Sequence, residues 1–383
     1  MKFILSLTAF FLFFLAAHAG GEDSLQQPKK KIDTAEVEKL IRNAGAQEHF
    51  NPMVSLSLSQ EALTEALASE NPLCIVHAYI RLGITYNSMT FHEKALENIL
   101  KAVDLCKKHD FQKELANAFN EAGGVFYNQA DYKMAGEYFS KALRIRESLG
   151  DARGVAGSLN NVGESYRVEK DFKTALIYYK RAMQINDSLK NRRWVGINLS
   201  NMGAIYLEQK DFEKALDCFT KQLTLLRNEN IREDMHDAHC NLGNYWLVRD
   251  DAQKALSYFT DALSAARSVY SKQGIIDAME GLSKTYAMLK DYPKAYEYLN
   301  AYMVKKDSVR NIERERNLLQ MNLRFRSEQT EHEIQKLESD KKAFEAERSE
   351  QEGRIRKLYW LLGLLCSSFL VLSVVLLRKR RRG

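Results

Sequence analysis

Residues 157–189 read GSLNNVGESYRVEKDFKTALIYYKRAMQINDSL, and the spacing inside this stretch decides the fold. Gly163 and Tyr166 stand one helical turn apart on one face, and so do Ala175, Tyr179 and Ala182. Lys170-Asp171-Phe172 supplies a short polar turn between the two helices. The pattern then repeats along the chain with a period of 40 residues. A small residue returns at Gly83, Gly123, Gly163, Gly203, Gly243 and Ser283, and an aromatic follows each as Tyr86, Phe126, Tyr166, Tyr206, Trp246 and Tyr286. Alanine returns at Ala95, Ala135, Ala175, Ala215, Ala255 and Ala295, each with an apolar partner four residues on. Ala102, Ala142, Ala182 and Ala262 come three further, with Gln222 and Tyr302 as exceptions.

One hairpin of this kind cannot cover its own apolar face, so successive hairpins stack. The prediction is an all-α superhelical solenoid with a concave inner surface. The small residue lets a neighbouring helix approach, and the aromatic fills the space beside it. In these offsets the chain resembles the tetratricopeptide-repeat (TPR) family, with six TPR-like units over residues 75–306. Two departures stand out. The period is 40 where the family's ordinary repeat has about 34 residues, and the proline that closes the second helix is missing. The second helix is therefore expected to run on, ending in Glu147-Ser148-Leu149 or Asp187-Ser188-Leu189. This is similar to the long-helix TPR subclass of bacterial signalling proteins and motor light chains. Ser283 and Tyr302 mark the last unit as a cap. Residues 20–74 are expected to form a degenerate helical cap, with helical spacing over Ala35–Arg42 and Gln60–Leu67 and an interruption at Asn51-Pro52.

Both ends of the chain carry membrane signals. Lys2, the apolar run Phe3–Leu15 and Ala17-His18-Ala19 read as a signal peptide over residues 1–19, with an uncleaved anchor as the alternative. Residues 358–377 are uncharged and long enough to cross a bilayer, with Tyr359 and Trp360 at the leading edge. The cations Arg378-Lys379-Arg380-Arg381-Arg382 follow and place the tail, residues 378–383, on the cytoplasmic side. The expected location is the inner membrane, with a single pass and the bulk of the chain periplasmic. Residues 307–357 alternate charge without proline, and Ile312, Leu319, Leu323, Ile334, Leu337, Phe344 and Ile355 form a partial heptad seam. They predict a helical stalk, either a coiled coil that would make a homodimer or a solvated single helix.

Apart from the tail the charge is near neutral, which gives no phosphate-binding stripe and no nucleic-acid partner. The histidines are scattered; His236 and His239 could share a face, but no further ligand completes a metal site. No catalytic motif and no cofactor loop appears, so the expectation is a non-enzyme. Cys218 and Cys240 fall on helices expected to be neighbours, where they are either a disulfide or two small buried residues. In TPR arrays the first helix of each pair lines the groove. There the sequence places Asn161, Asn201 and Asn241 at one repeat position, with Asn120 and Asn160 on the adjoining face and Glu164 and Arg167 one turn on. An amide both donates and accepts, so such a ladder suits either an extended peptide or a bond between neighbouring hairpins. The resemblance implies peptide contact at the matching position.

The order of parts resembles bacterial membrane-bound TPR regulators, which continue into a cytoplasmic kinase or helix-turn-helix domain. This chain runs six residues past the predicted span. The expected function is a protein- or peptide-binding scaffold or sensor. The alternatives are a signalling subunit for a separate kinase or transcription factor, or a receptor lacking its output domain.

Overall fold

The computed structural model describes residues 34–48, 50–306, 334–351, 353–355, 357 and 361. The predicted signal peptide (1–19), the first half of the stalk, nearly all of the predicted span (358–377) and the predicted tail (378–383) lie outside them. No helix among the described residues is long and apolar enough to cross a membrane.

The described chain is helical throughout its length. The helices are α1 (Thr34–Gln47), α2 (Pro52–Ser69), α3 (Pro72–Ser88), α4 (His92–His109), α5 (Gln112–Asn128), α6 (Tyr132–Ser148), α7 (Ala152–Val168), α8 (Phe172–Ser188), α9 (Arg192–Glu208), α10 (Phe212–Asn228), α11 (Met235–Val248), α12 (Ala252–Ser268) and α13 (Lys272–Met288). A further helix, α14, covers residues 292–306, and residues 334–351 are helical as well. Each odd helix from α1 to α11 packs most extensively on the even helix after it, giving antiparallel pairs.

The 40-residue period divides into two near-equal halves. Most helices from α5 to α13 have 17 residues, and a three-residue link follows each except α10, whose link spans residues 229–234. The expected extension of the second helix alone is thus corrected, because the extra length is shared by both members of the pair. The link is one motif repeated every 20 residues. Glu70, Thr90, Asp110, Ala130, Gly150, Lys170, Lys190, Lys210, Asn230, Asp250, Tyr270 and Lys290 all adopt positive φ. Such a residue turns the chain sharply and lets the next N–H reach back to an orphan carbonyl. At the α7–α8 link, Lys170 N–H bonds Arg167 O at 3.0 Å and Asp171 N–H bonds Tyr166 O at 2.9 Å. The Asp171 side chain then accepts from Thr174 N–H at 3.1 Å and starts the next helix. Asp131, Asp151, Asp211, Asp251 and Asp291 cap their helices in the same way. At the irregular start Asn51 and Asn71 do so, each followed by proline in the first helical turn, where no N–H is needed.

The small-residue column works by contact. A Cβ on Gly123 would lie 2.6 Å from the Phe139 ring, on Gly203 2.5 Å from Phe219, and on Gly243 2.8 Å from Phe259. Phe219 and Phe259 are almost wholly buried between the helices of their pairs. In the last pair Ser283 takes the glycine's place, and its hydroxyl donates to Ala295 O at 3.0 Å. Stacked rings fill the space beside the small residue, as in Phe126 on Tyr138 at 5.2 Å and Tyr166 on Tyr178 at 5.7 Å.

Curvature follows from the contacts. Among the described residues α1 touches α3, α3 touches α5, α9 touches α11 and α11 touches α13, while no even helix touches the next even helix comparably. The odd helices are therefore crowded and the even ones splayed. The array bends toward its odd helices, which line the inner face.

Candidate functional site

Four odd helices carry the predicted residues: Asn120 on α5, Asn160, Asn161, Glu164 and Arg167 on α7, Asn201 on α9, and Asn241 on α11. The structure joins them across successive hairpins. Asn161 Nδ2 donates to Asn120 Oδ1 at 3.0 Å, Asn201 Nδ2 to Asn160 Oδ1 at 3.3 Å, and Asn241 Nδ2 to Ser200 Oγ at 2.8 Å. Asn128 Nδ2 adds an earlier rung, to Asn87 Oδ1 at 3.2 Å. Every rung joins residues 41 apart, and the later repeat donates in each. That offset of one residue beyond the period is the stagger between adjacent odd helices.

Of the two readings left open by the sequence, the inter-hairpin bond is present. It uses only half of each amide. The Oδ1 atoms of Asn161, Asn201 and Asn241 accept no hydrogen bond from a described residue, and none of the three is a buried orphan. Three acceptors at one repeat position are thus left open along the inner face. Around the first of them, Asn87, Asn120, Glu121, Gly124, Tyr127, Asn128, Phe139, Asn161 and Glu164 enclose a hollow of about 250 Å³. A larger hollow of about 550 Å³ lies between α6 and α7, with Lys133, Glu137 and Arg144 among its walls. It contains none of the predicted residues.

Glu164 and Arg167 form the fixed part of the inner hollow. The Glu164 carboxylate accepts Arg167 Nε at 2.8 Å and a second guanidinium nitrogen at 2.6 Å, the Tyr127 hydroxyl at 2.9 Å and the Tyr179 hydroxyl at 2.6 Å. Burial alone would raise its pKa, yet the donors from Arg167, Tyr179 and Tyr127 outweigh it and hold the group below the usual carboxylate range. Burial pushes the Tyr127 phenol up to about 12. Glu121 behaves oppositely: burial raises its carboxyl, against the opposing pull of Asn120, Arg81 and Arg146. The hollow thus holds one carboxylate locked as an anion beside another that takes up a proton more readily.

Several partners lie outside the predicted set. Asn198, fully buried, donates to Asn160 Oδ1 at 3.2 Å and accepts from Asn186 at 3.1 Å. One repeat earlier the corresponding residues, Arg146 and Ser158, bond at 2.7 Å, and Arg146 also reaches Asn117 at 2.9 Å. The repeat columns hold a visible signal for these. Asn198 interrupts a column of small residues, Ala78, Ala118, Ser158, Ala238 and Ala278, and Asn186 interrupts one holding Cys106, Leu226 and Ala266.

The remaining candidates resolve simply. Cys74, Cys106, Cys218 and Cys240 are all free, so the possible Cys218–Cys240 bridge is absent. Burial pushes the Cys218 thiol up to about 11 and that of Cys240 up to about 12. His236 Nε2 lies 2.7 Å from Ser271 Oγ, and no group of three metal-capable residues occurs among the described residues.

Residues 114–185 and 154–228 match the tetratricopeptide repeat family. No curated protein matches the chain by sequence. Among solved structures, apo RapI is 14% identical, with a TM-score of 0.58 over 72% of this chain and 99% of that one. A STAND protein with a tetratricopeptide-repeat sensor from Pyrococcus horikoshii is 19% identical at TM-score 0.58, over 72% of this chain and 43% of that one. The Rap conjugation gene regulator of plasmid pLS20, solved with the Phr* peptide, is 17% identical at TM-score 0.51, over 80% and 86%. Residues 114–228 thus carry tetratricopeptide repeats, and the structural similarities establish the solenoid fold.

Proposed function

We propose that the chain is a scaffold that lays an extended segment of another protein along its odd-helix groove and carries out no chemistry on it. One observation carries this reading: the open Oδ1 acceptors of Asn161, Asn201 and Asn241 at one repeat position on successive hairpins. Their amides are already held by the rungs, so each carbonyl is preorganised for a donor, and the donors of an extended peptide are its backbone N–H groups. The pLS20 Rap regulator, which shares the fold, was solved with a peptide, and this supports the same use here. Glu164 supports binding over catalysis, because four donors occupy its oxygens and leave it a poor base. No nucleic acid or cofactor enters the proposal.

The sequence supports a membrane anchor. Residues 358–377 would span the inner membrane, with the array periplasmic and residues 378–383 cytoplasmic. A reporter fused after Gly383 is expected to behave as cytoplasmic; active alkaline phosphatase there would overturn the topology. A second reading, a signalling subunit acting on a separate kinase or transcription factor as a homodimer, draws on Phe344 and Ile355. Both are half exposed on the C-terminal helix, where a second stalk would cover them.

The groove is tested with Gly124→Leu. A Cβ at Gly124 meets nothing within 4 Å, so the larger side chain fills the hollow without disturbing the helix. In crosslinked pull-downs with the intact chain, the partner held by wild type is expected to be lost from Gly124→Leu. Equal recovery by both places the binding surface elsewhere.

A further inference from the structure

The helical residues 334–351 follow α14 in the chain but are seated near the start of the array, where Glu338 meets α3 and α4. Ile334 is 6% exposed and joins the apolar cluster built by α1 to α5. Glu338 accepts from the Tyr79 hydroxyl and from Lys101 Nζ, the latter at 3.3 Å. Tyr79 is 4% exposed, and Lys101 Nζ sits 5.6 Å from the centroid of its ring.

The contact has a definite face. Within 334–351 the residues not fully exposed are Ile334, Leu337, Glu338 and Lys341, spaced i, i+3, i+4 and i+7. That is one stripe of two helical turns. From Lys342 to Gln351 every residue is exposed, so the buried stripe is confined to those two turns.

The place on the array is equally definite. The Tyr79 and Lys101 positions recur as Phe119 and Lys141, Leu159 and Arg181, Leu199 and Lys221, His239 and Asp261, and Met279 and Ala301. Only Tyr79 brings a hydroxyl to a neighbouring ammonium. Among the described residues, Glu338 is the sole acceptor for that buried hydroxyl, and leaving such a donor unpaired is costly. Phe119 and Leu159 offer the carboxylate no hydroxyl, and Asp261 would repel it.

We infer that the α3–α4 face around Tyr79 and Lys101 is the docking site of the chain's own C-terminal helix, latched by Ile334, Leu337, Glu338 and Lys341. The helix thereby departs from the N-terminal end of the array. Its exit point is set by the α3–α4 pair, although the chain runs into it from the last.

Zero-length carbodiimide coupling tests the latch, since it joins only amines and carboxylates already in contact. The full chain is prepared in light and heavy isotope forms, mixed, and coupled. The expected product is a Lys101–Glu338 amide whose two peptides carry the same isotope label, lost in Glu338→Gln. No such product, or a product of mixed label from a second copy's helix, overturns the assignment. Charge reversal gives an independent readout. Lys101→Glu is expected to lose hydrogen-exchange protection over residues 334–341, and Lys101→Glu with Glu338→Lys to regain it. Unchanged exchange in the single variant also overturns the assignment.

Discussion

At the residue scale, two adjacent glycines show how position outweighs chemistry. Gly123 faces Phe139 at 2.6 Å from a virtual Cβ, and Gly124 faces open space in the groove. Gly123→Ala should cost about 1–3 kcal/mol through overpacking, whereas Gly124→Ala should gain roughly 0.5–1 kcal/mol from helix propensity. Chemical denaturation of both variants checks the pair, and equal effects would contradict the packing argument. The buried asparagines make a second case. Asn186→Leu alone leaves the buried Asn198 Oδ1 without its donor and should lose about 1–3 kcal/mol. Asn186→Leu with Asn198→Ala copies the Leu226 and Ala238 of the next repeat and should recover most of it, a coupling that a double-mutant cycle reads directly. His239 gives the pH dependence. Burial lowers its pKa below the ordinary 6.5, and its Nδ1 is a buried orphan, so the folded state prefers the neutral ring. The unfolded chain then binds the extra proton first, and stability falls as the pH drops below 6.5. His239→Leu, the residue of columns 159 and 199, should flatten that decline in melts between about pH 7 and 5. The asparagine column was legible because it recurs, and so were its two candidate uses, but not which partner each amide takes. Whether an amide bonds a neighbour or a ligand depends on the one-residue stagger between odd helices, and a column of letters carries no stagger.

At the element scale, one link is used both within and between pairs. It requires a left-handed residue every 20 positions, yet only Gly150 is a glycine. Lysines occupy four of these places, Lys170, Lys190, Lys210 and Lys290, each at a steric cost. Lys210→Gly should therefore stabilise by about 0.5–1 kcal/mol despite the greater freedom of the unfolded chain, and Gly150→Lys should lose a similar amount. A Tm that falls for Lys210→Gly would refute this account of the link. The helices themselves were plain from the sequence, because Gly163, Tyr166, Ala175, Tyr179 and Ala182 mark faces at helical spacing. The equal division of the period was not. Glu147-Ser148-Leu149 looks like the end of an over-long second helix only while the first helix is assumed to be of ordinary length. The aspartate before each helix, such as Asp171 or Asp211, was the better marker, since a cap fixes where a helix starts whatever its length.

At the scale of the whole molecule, stacked pairs make a bent array whose inner face is hydrogen-bonded across hairpins. Asn161, Asn201 and Asn241 now serve that cohesion, so replacing all three with alanine should lower stability by about 0.5–1.5 kcal/mol per rung. Loss of binding in that variant would therefore mix two effects, and Gly124→Leu separates them. The stalk reading also changes form at this scale. Ile334 and Leu337 belong to a seam in the sequence, but the structure turns the first of them into the α1–α5 cluster and leaves Phe344 half exposed. A heptad names an apolar stripe without saying what covers it. The most direct test of a peptide-binding groove uses a displayed library of random short peptides selected on the full chain, with each selected peptide then titrated against wild type and Gly124→Leu. The groove account predicts binders that weaken roughly tenfold or more, at least ~1.4 kcal/mol, on Gly124→Leu. Binders with equal affinity for both proteins would contradict it.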